Sequence, residues 1–326
     1  MVGAAMVRRR CRGAAVALAL GLAPAALPAA AWAKTLGIIY PETCTVYDAA
    51  TEALKAQLAA GGFGPGKLEI FVQKPAADPV SWANALRKFE AVEADLIVIF
   101  GDSLLQTACK EKLRTPVGFG FVLEPSLCAC ARTAANPAGT AAGVSAKTPL
   151  ATLLAKARLM TEFTTVGVLD LPGDPVAKAQ IEELRAREKE LGFTVKPIPV
   201  ARREEAAAAL RAAPPPGLFL MPGCPLVAGQ AEELLAIAAE RRIATVSLQP
   251  PRGAAAPLLA LYPSPEEQGR LVGEIAVQIL SKGRAAGPAA PLTPKKIELE
   301  VNLPLAKQLG AKVPMSLLES ATRIIK

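Results

Sequence analysis

The sequence predicts an α/β protein of two similar lobes, each built around a mainly parallel sheet. Short apolar runs alternate with segments of helical periodicity along most of the chain, which is typical of α/β units. This alternation occurs twice in the same order, once in each half. Glycine, proline or serine stands at equivalent strand ends in both halves, a correspondence that a single α/β domain does not require.

The predicted strands follow one another in the same way in both halves. In the first half they are TLGIIYPE (35–42), KLEIFVQ, ADLIVIFGDSLLQTA (94–108, which runs on into a helix) and TPVGFGFVLEPS (115–126). In the second half they are TTVGVLDLPGD (164–174), TVKPIPV, PGLFLMPGCPLVAG (216–229) and IATVSLQPP (243–251). Each apolar run ends at Gly, Pro, Asp or Ser, and the longer segments between the runs have helical spacing.

The first 33 residues are predicted to be a signal peptide. MVRRRCRG places four arginines ahead of an alanine-rich apolar run, and AWA at 31–33 offers small residues for cleavage before Lys34. A membrane anchor is the alternative, but two prolines leave no stretch of ~20 strongly apolar residues. Removing four arginines and no acidic residue lowers the formal net charge from +8 to +4. We therefore expect a periplasmic protein that does not bind nucleic acid.

The composition excludes several kinds of catalysis. The chain contains no histidine, so Ser-His-Asp and Cys-His mechanisms and the usual zinc sites are ruled out. Neither phosphate-binding glycine motif follows a strand, and GVSAK at 143–147 lacks the second glycine of a nucleophile elbow. A lysine or carboxylate enzyme stays open, but no pair of residues indicates one. The sequence predicts no enzyme, no cofactor and no resident metal.

The predicted strand ends indicate a binding cleft. Ligands of open α/β sheets bind beyond the carboxyl ends of the strands. If the two lobes face each other, YPETC, FGDS, LEPS, LDLPGD and MPGC converge on one space between them. The loop that follows Ile39 is therefore expected to line an interlobe cleft.

Three segments carry a resemblance to a known family. NPAGTAAGVSAKTPLATLLAKARLM (136–160) is similar to its Asn-x-x-Gly-x-x-Gly-Val-Ser segment, and ALYPSPEEQGRLVGEIAVQILSKG (260–283) to its Tyr-x-Pro segment. IELEVNLPLAKQLGAKVPMSLLESATRII (297–325) matches the closing pattern over its whole length and is the most specific of the three. The chain thus resembles the type I periplasmic solute-binding proteins of ABC transporters, in the branch that includes tryptophan- and phenylalanine-binding members.

The resemblance implies two Rossmann-like lobes with parallel sheets, joined by a hinge that the chain crosses three times. The first lobe is expected at 34–145 plus 260–286, and the second at 146–255 plus 297–326. A solute that contacts both lobes favours the closed form, which a permease then recognises. The implied partners are a small solute and the ABC permease in the cytoplasmic membrane, and the protein is expected to be a monomer.

Polar groups at the first lobe's strand ends are implied to hold the carboxylate of the solute. Helix N-termini leave N–H groups without partners and carry partial positive charge, which suits an anion. The residues that match the family here include Ser103 and Ser126. Helix capping is the alternative role for both.

Acidic residues at the predicted cleft depart from the family's pattern. Asp102 stands where relatives carry Thr or Ser, and its carboxylate would repel an anionic group. Its alternative role is to cap the helix beginning at Ser103. An acidic cleft mouth would favour a cationic or amine-bearing solute. The carboxylates expected there are Glu42, Asp102, Glu124, Asp170 and Asp174.

Aromatic residues are scarce, so the three tyrosines near strand ends are candidate solute contacts. Tyr40, Tyr47 and Tyr262 could each stack on a flat solute and offer a phenol group for hydrogen bonding. For Tyr47 the alternative is packing of the first helix. Trp82 falls in a helical segment and is expected to fill the core.

Five cysteines follow the signal peptide, and an odd number allows at most two internal disulfides. Cys128 and Cys130 are too close to each other to pair, but either is expected within reach of Cys109. Cys44, Cys128 and Cys224 follow strand ends, so they could face the cleft and bind a soft metal such as Cu(I). Buried thiols plus one disulfide are the alternative. Cys44 and Cys224 are also expected solute contacts, although relatives often carry Asp or Asn at the latter position.

The sequence thus predicts capture of a small solute, an amino acid or related compound, for an ABC importer. A sensory or adaptor protein that signals to a membrane receptor is the alternative, because it requires the same cleft and the same closure. A soft-metal binder is a further alternative.

Overall fold

Two sheets form the centre of the compact unit Ala33–Lys326, as the computed structural model of the chain shows. The structure describes residues 33–41, 46–171, 173–221, 230–250, 255–283 and 287–326. Apart from Ala33, the predicted signal peptide lies outside these ranges. Within them, no helix combines the length and the apolar character needed to cross a membrane.

The first lobe contains a five-stranded parallel sheet. Its strands are β1 (Lys34–Ile39), β2 (Leu68–Gln73), β3 (Leu96–Phe100), β4 (Val117–Val122) and β5 (Ala141–Ser145). They lie in the order β2-β1-β3-β4-β5. The helices that follow the first three strands are α1 (Val46–Ala60), α2 (Pro79–Ala91) and α3 (Asp102–Glu111). All residues of β3 and β4 are buried, as expected for parallel strands that are covered on both faces.

The second lobe repeats this arrangement. Its strands are β6 (Thr165–Asp170), β7 (Thr194–Pro199), β8 (Leu218–Leu220), β9 (Ala244–Ser247), β10 (Leu259–Pro263), β11 (Ile297–Asn302) and β12 (Arg323–Ile325). Its helices are α4 (Leu150–Met160), α5 (Pro175–Leu191), α6 (Ala206–Ala212), α7 (Ala231–Glu240), α9 (Leu303–Leu309) and α10 (Met315–Ser320). Helix α8 (Pro265–Lys282) packs on the first lobe instead. The order β7-β6-β8-β9-β10 corresponds strand by strand to that of the first lobe, and β11 and β12 extend the edge, with β11 antiparallel to β10. The predicted two-lobe α/β fold is confirmed.

The chain passes between the sheets after β5, after β10 and after α8. The third passage pairs with β5, because Ser145 N donates to Leu292 O at 2.8 Å and Leu292 N donates to Gly143 O at 2.9 Å. Residues 260–263, which the sequence placed in the first lobe, belong to β10, which pairs with β9 and β11 in the second sheet. The second passage therefore begins after Pro263.

Helix α8 returns to the first lobe and packs closely on α1 at Gly269. A Cβ atom at this position would lie 2.0 Å from the carbonyl oxygen of Ala50 and 2.7 Å from its carbonyl carbon. Main-chain atoms cannot rotate away, so any side chain here forces the two helices apart. Glycine is therefore required at this contact.

The Gly269→Ala variant is expected to lower the free energy of unfolding by about 2 kcal/mol. This value combines about 3 kcal/mol for overpacking with a gain of about 1 kcal/mol in helix propensity. Urea denaturation measures the change. The matched control is Gly64→Ala, because a Cβ at Gly64 has no neighbour within 4 Å, and this variant should stay within about 0.5 kcal/mol of the parent. Equal effects of both substitutions would contradict the close helix contact.

Candidate functional site

A cavity of about 330 Å³ lies between the lobes. The first lobe contributes the beginning of α2 and one face of α3 along most of its length, and the second contributes the loops after β6 and β7. The lining residues are Pro79, Trp82, Ser103, Gln106, Thr107 and Lys110 from the first lobe, and Leu171, Gly173, Asp174, Pro175, Val200, Ala201 and Arg202 from the second. Because ligands of α/β sheets bind at the carboxyl ends of the strands, this cavity is a candidate solute site.

Two Asp-Pro-Val sequences, one from each lobe, begin the helices that meet at the cavity. Asp78 caps α2, and its Oδ1 accepts hydrogen bonds from two first-turn N–H groups at 3.0 and 2.9 Å. Asp174 caps α5 in the same way, at 2.9 Å for both. Pro79 and Pro175 each occupy the first helical position, where a missing N–H costs nothing. The cavity thus lies between two helix N-termini.

One face of α3 supplies polar groups to the cavity. Ser103, Gln106, Thr107 and Lys110 are spaced so that they share that face. The Thr107 hydroxyl donates to the Ser103 carbonyl at 2.9 Å. Among the described residues, the side chains of Ser103, Gln106 and Lys110 have no hydrogen-bond or ion-pair partner, and no side chain caps α3. A hydroxyl, an amide and an ammonium group therefore remain available to a ligand.

Asp102 joins the start of α3 to the loop after β4. It is 1% exposed, and its carboxylate accepts hydrogen bonds from Leu123 N at 2.9 Å and Glu124 N at 3.0 Å. The helix begins at Asp102 itself with Gly101 as its cap, so the side chain does not cap α3. Burial raises the pKa of Asp102 to about 7 against the effect of the two N–H bonds, and the charges of Asp174 and Glu124 raise it further.

Glu124 takes part in an ionic contact between the lobes. Lys147 lies in the first passage between the lobes, after β5. Its Nζ is 2.6 Å from Glu124 Oε1 and 3.9 Å from Glu183 Oε2 of α5. Burial acts to lower the pKa of Lys147, but the bond to Glu124 outweighs it and raises that pKa. Three buried apolar residues from the first lobe, the passage and the second lobe pack together nearby: Leu123, Ala146 and Val176. The two lobes are therefore in direct contact beside the cavity.

Several predicted contacts lie away from the cavity. Asp170 ends β6 with an exposed side chain, and Ser126 is exposed in the short turn after β4. Neither residue lines the cavity. Glu42, Cys44 and Cys224 lie outside the described residues, and the roles predicted for them stay predictions.

The three tyrosines among the candidate contacts, Tyr40, Tyr47 and Tyr262, are each 2% exposed. Tyr40 packs against Tyr47 and Phe100, and its hydroxyl donates to Asp48 Oδ1 at 2.6 Å. Tyr262 donates to Glu300 Oε2 at 3.1 Å, and burial together with the charge of that carboxylate raises the pKa of the tyrosine. The phenol groups of Tyr40 and Tyr262 are thus bound to protein carboxylates, and none of the three tyrosines lines the cavity described above.

Trp82 is a cavity residue that sequence reasoning assigned to the core alone. It is 1% exposed and packs in the core of the first lobe, as predicted. It also lines the cavity, and its indole N–H has no hydrogen-bond partner in the described part of the chain. A helical periodicity indicates which face is buried, but it gives no sign that a buried face also borders a cavity.

The described cysteines include one disulfide, between Cys109 of α3 and Cys130, with a Cα–Cα distance of 5.0 Å. Cys128 is a buried thiol, and burial followed by the charge of Asp102 raises its pKa to about 12. A thiol with so high a pKa does not supply the thiolate that a soft metal prefers. The described ranges contain no group of three potential metal ligands.

A larger groove of about 630 Å³ lies entirely in the second lobe. It is lined mainly by proline and alanine between β7 and α6. Along the edge strand β7, Val195 N donates to Glu188 Oε1 at 2.6 Å, while Pro197 and Pro199 have no N–H. A ligand in this groove would contact one lobe only, so the interlobe cavity is the better candidate for a solute site.

A family model described as ABC transporter substrate binding protein matches residues 41–325 of this chain. No curated protein matches it. The solved structures with a similar fold include an ABC domain from Streptococcus pneumoniae in complex with L-Trp. That chain is 18% identical with a TM-score of 0.79, and the match covers 90% of this chain and 100% of that one.

Two further structures are similar over nearly their whole length. A conserved domain protein from Vibrio cholerae is 19% identical with a TM-score of 0.78, and the match covers 90% of this chain and 99% of that one. A substrate-binding protein with adhesive properties from Clostridium difficile, in its ligand-free, open structure, is 22% identical with a TM-score of 0.66 and the same coverage of 90% and 99%. At these identities the likeness establishes the fold alone, which resembles that of type I periplasmic binding proteins, as predicted.

Proposed function

The chain belongs to the ABC transporter substrate-binding proteins, and from that premise we propose that it captures a small solute between its lobes for an ABC importer. Membership of this family confirms the resemblance drawn from the three sequence segments. The family is defined by binding of a transported substrate, which agrees with the prediction that the chain is not an enzyme. We further propose that it works in the periplasm, as a monomer that presents its closed form to the permease.

The observation that supports this proposal most directly is the composition of the cavity wall. Both lobes contribute residues, and among them are Ser103 and Asp174, which the sequence predicted as solute contacts. A solute in this cavity touches both lobes and gains part of its contacts only when they are closed. It therefore shifts the population toward the closed form by that difference in affinity.

The size of the cavity suits a compact metabolite. Its volume of about 330 Å³ is near the lower end of the range of roughly 300–1,000 Å³ for ligand pockets. An amino acid or related compound is of appropriate size. The complex of the Streptococcus pneumoniae protein with L-Trp makes tryptophan one compound to test.

A thermal-shift screen of the exported protein against amino acids, organic acids, amines, nucleobases and sugars tests the proposal. A solute at 100 times its dissociation constant stabilises by about 2.7 kcal/mol, which raises the melting temperature by about 5 °C for a chain of this size. We expect at least one compound to produce such a shift.

The Ser103→Ala variant is expected to weaken that solute's binding about tenfold, the cost of a lost hydrogen bond of roughly 1.5 kcal/mol. Ser316→Ala is the matched control, because Ser316 is exposed on α10, and its affinity should equal that of the parent. Isothermal titration measures both. A screen in which no compound shifts the melting temperature would contradict solute capture, and a solute that is converted during titration would indicate an enzyme.

A further inference from the structure

Positive groups surround the interlobe cavity. Pro79, Ser103 and Pro175 line it from the first turns of α2, α3 and α5, and a helix N-terminus carries partial positive charge. Lys110 from the first lobe and Arg202 from the second add two full charges. Two cationic side chains, one from each lobe, thus line the same cavity as the first turn of α3, whose N–H groups have no side-chain cap.

The carboxylates near the cavity are already bound by protein groups. Asp174 is the one acidic residue in the described lining, and its Oδ1 caps α5. Both oxygens of Asp102 accept backbone N–H bonds, and Glu124 is paired with Lys147. The acidic cleft mouth that the sequence suggested would have attracted a cation. In the structure the partners of these carboxylates reduce that attraction.

The two cationic side chains are available to a solute. Lys110 has no ion pair within the ranges that the structure describes. Arg202 Nη2 lies 2.5 Å from Glu205 Oε1, three residues further along the chain, and 76% of the Arg202 side chain is exposed. Exposed pairs of this kind contribute little stability because water screens them. Arg202 can therefore exchange this carboxylate for one on a solute.

The buried indole of Trp82 provides a further, independent sign of a ligand. Trp82 lines the cavity, and its buried indole N–H has no protein acceptor among the described residues. Buried donors are nearly always hydrogen-bonded, because an unmet one loses its water without compensation. An acceptor atom on the solute would satisfy this donor.

We infer that the solute is a small organic anion whose carboxylate lies between Lys110 and Arg202, with a second acceptor on the N–H of Trp82. This inference rests on the proposed capture of a solute in this cavity. The negative group of the solute contacts both lobes and so favours their closed form, since one cation comes from each lobe. An ammonium group on the solute is not required.

Matched probes test the sign of the charge. The set is 3-phenylpropionate, L-phenylalanine, 2-phenylethylamine, succinate, ribose and inorganic phosphate. Trp82 and Trp32 are the two tryptophans of the chain, so the difference between the emission of the parent and that of Trp82→Phe isolates the residue at the cavity. We expect a carboxylate to change this emission and to raise the melting temperature, and 2-phenylethylamine to do neither.

Two substitutions test the residues. Lys110→Met and Arg202→Gln are each expected to weaken binding of the active carboxylate about tenfold or more, as for loss of a charged hydrogen bond. The matched controls are Lys189→Met and Arg185→Gln, which are exposed on α5 and should leave the affinity unchanged. Melting temperatures without probe show whether each variant is folded.

The outcomes separate this inference from the proposed function. A response to 3-phenylpropionate or succinate that both cavity variants weaken and neither control changes supports the inference, and a response to L-phenylalanine alone overturns it. A response to the amine, to ribose or to phosphate alone overturns it and leaves solute capture standing. A carboxylate response that neither cavity variant weakens also overturns it. If a compound from the wider screen binds and no carboxylate does, the inference is wrong while capture is supported.

Discussion

The stability of the protein is expected to decrease between pH 4 and pH 7 by up to about 4 kcal/mol through Asp102 alone. Burial raises the pKa of this carboxyl from 3.8 to about 7 in the folded protein. Over that window the folded state keeps a proton that the unfolded state has lost. The contribution of Asp102 is therefore fully present below the unfolded pKa and is lost as the pH rises through about 7.

Urea denaturation of the parent and of Asp102→Asn at a series of pH values measures this contribution. The asparagine does not titrate, so the variant should gain on the parent as the pH rises. At low pH the variant should be the less stable protein. Leu123 N and Glu124 N donate to different oxygens of Asp102, whereas the asparagine side chain has one oxygen, so one N–H group loses its acceptor. A constant difference between the two proteins at all pH values would contradict the raised pKa.

Asp48→Asn is a control, because the pKa of Asp48 is shifted in the opposite direction to that of Asp102. Burial acts to raise the pKa of Asp48, but hydrogen bonds from Lys74 and Tyr40 outweigh it and lower the pKa. The stabilisation that Asp48 provides is therefore present above its unfolded pKa and is lost as the pH falls. Its side chain is 46% exposed, so solvent screening should make the effect smaller than that of Asp102.

Loss of the disulfide between Cys109 and Cys130 is expected to lower the free energy of unfolding by about 3 kcal/mol, or the melting temperature by about 6 °C. The bond closes a loop with a sequence separation of 21. Its removal gives the unfolded chain more conformational freedom and so favours unfolding. The double variant Cys109→Ser/Cys130→Ser, compared with the parent by calorimetry, measures this effect.

A reductant provides the internal control for the disulfide. Dithiothreitol should lower the melting temperature of the parent toward that of the double variant and leave the double variant unchanged. Cys128→Ala keeps the disulfide and should therefore keep the response to reductant, whatever the core substitution costs. A parent whose melting temperature does not respond would show that the bond is absent in solution.

Solute affinity gives a second measure of the disulfide, because α3 carries both Cys109 and the polar face of the cavity. The bond holds the end of α3 to the segment that follows β4. If it also fixes the position of that face, the double variant should bind the solute more weakly at temperatures where it is still folded.

The sequence by itself determined the architecture. Periodicity and strand-end residues repeat in both halves, and the two sheets accordingly share one strand order. Positions fixed by local chemistry could also be predicted. Ser103 follows a strand end in the first lobe, and Asp174 precedes a proline in the second. Both line the cavity between the lobes, because the ends of parallel strands meet at one edge of a sheet.

Only the tertiary structure decided which side chains share the cavity and which are already bound. Lys110 lies two turns into α3, and Arg202 lies in a loop without a motif, so neither carries a local signal of a site. Asp102 is bound by N–H groups of the next strand's loop. Such partners come from segments distant in sequence. The packing of strands, helices and loops in the folded protein determines these partners, and local patterns do not encode that packing.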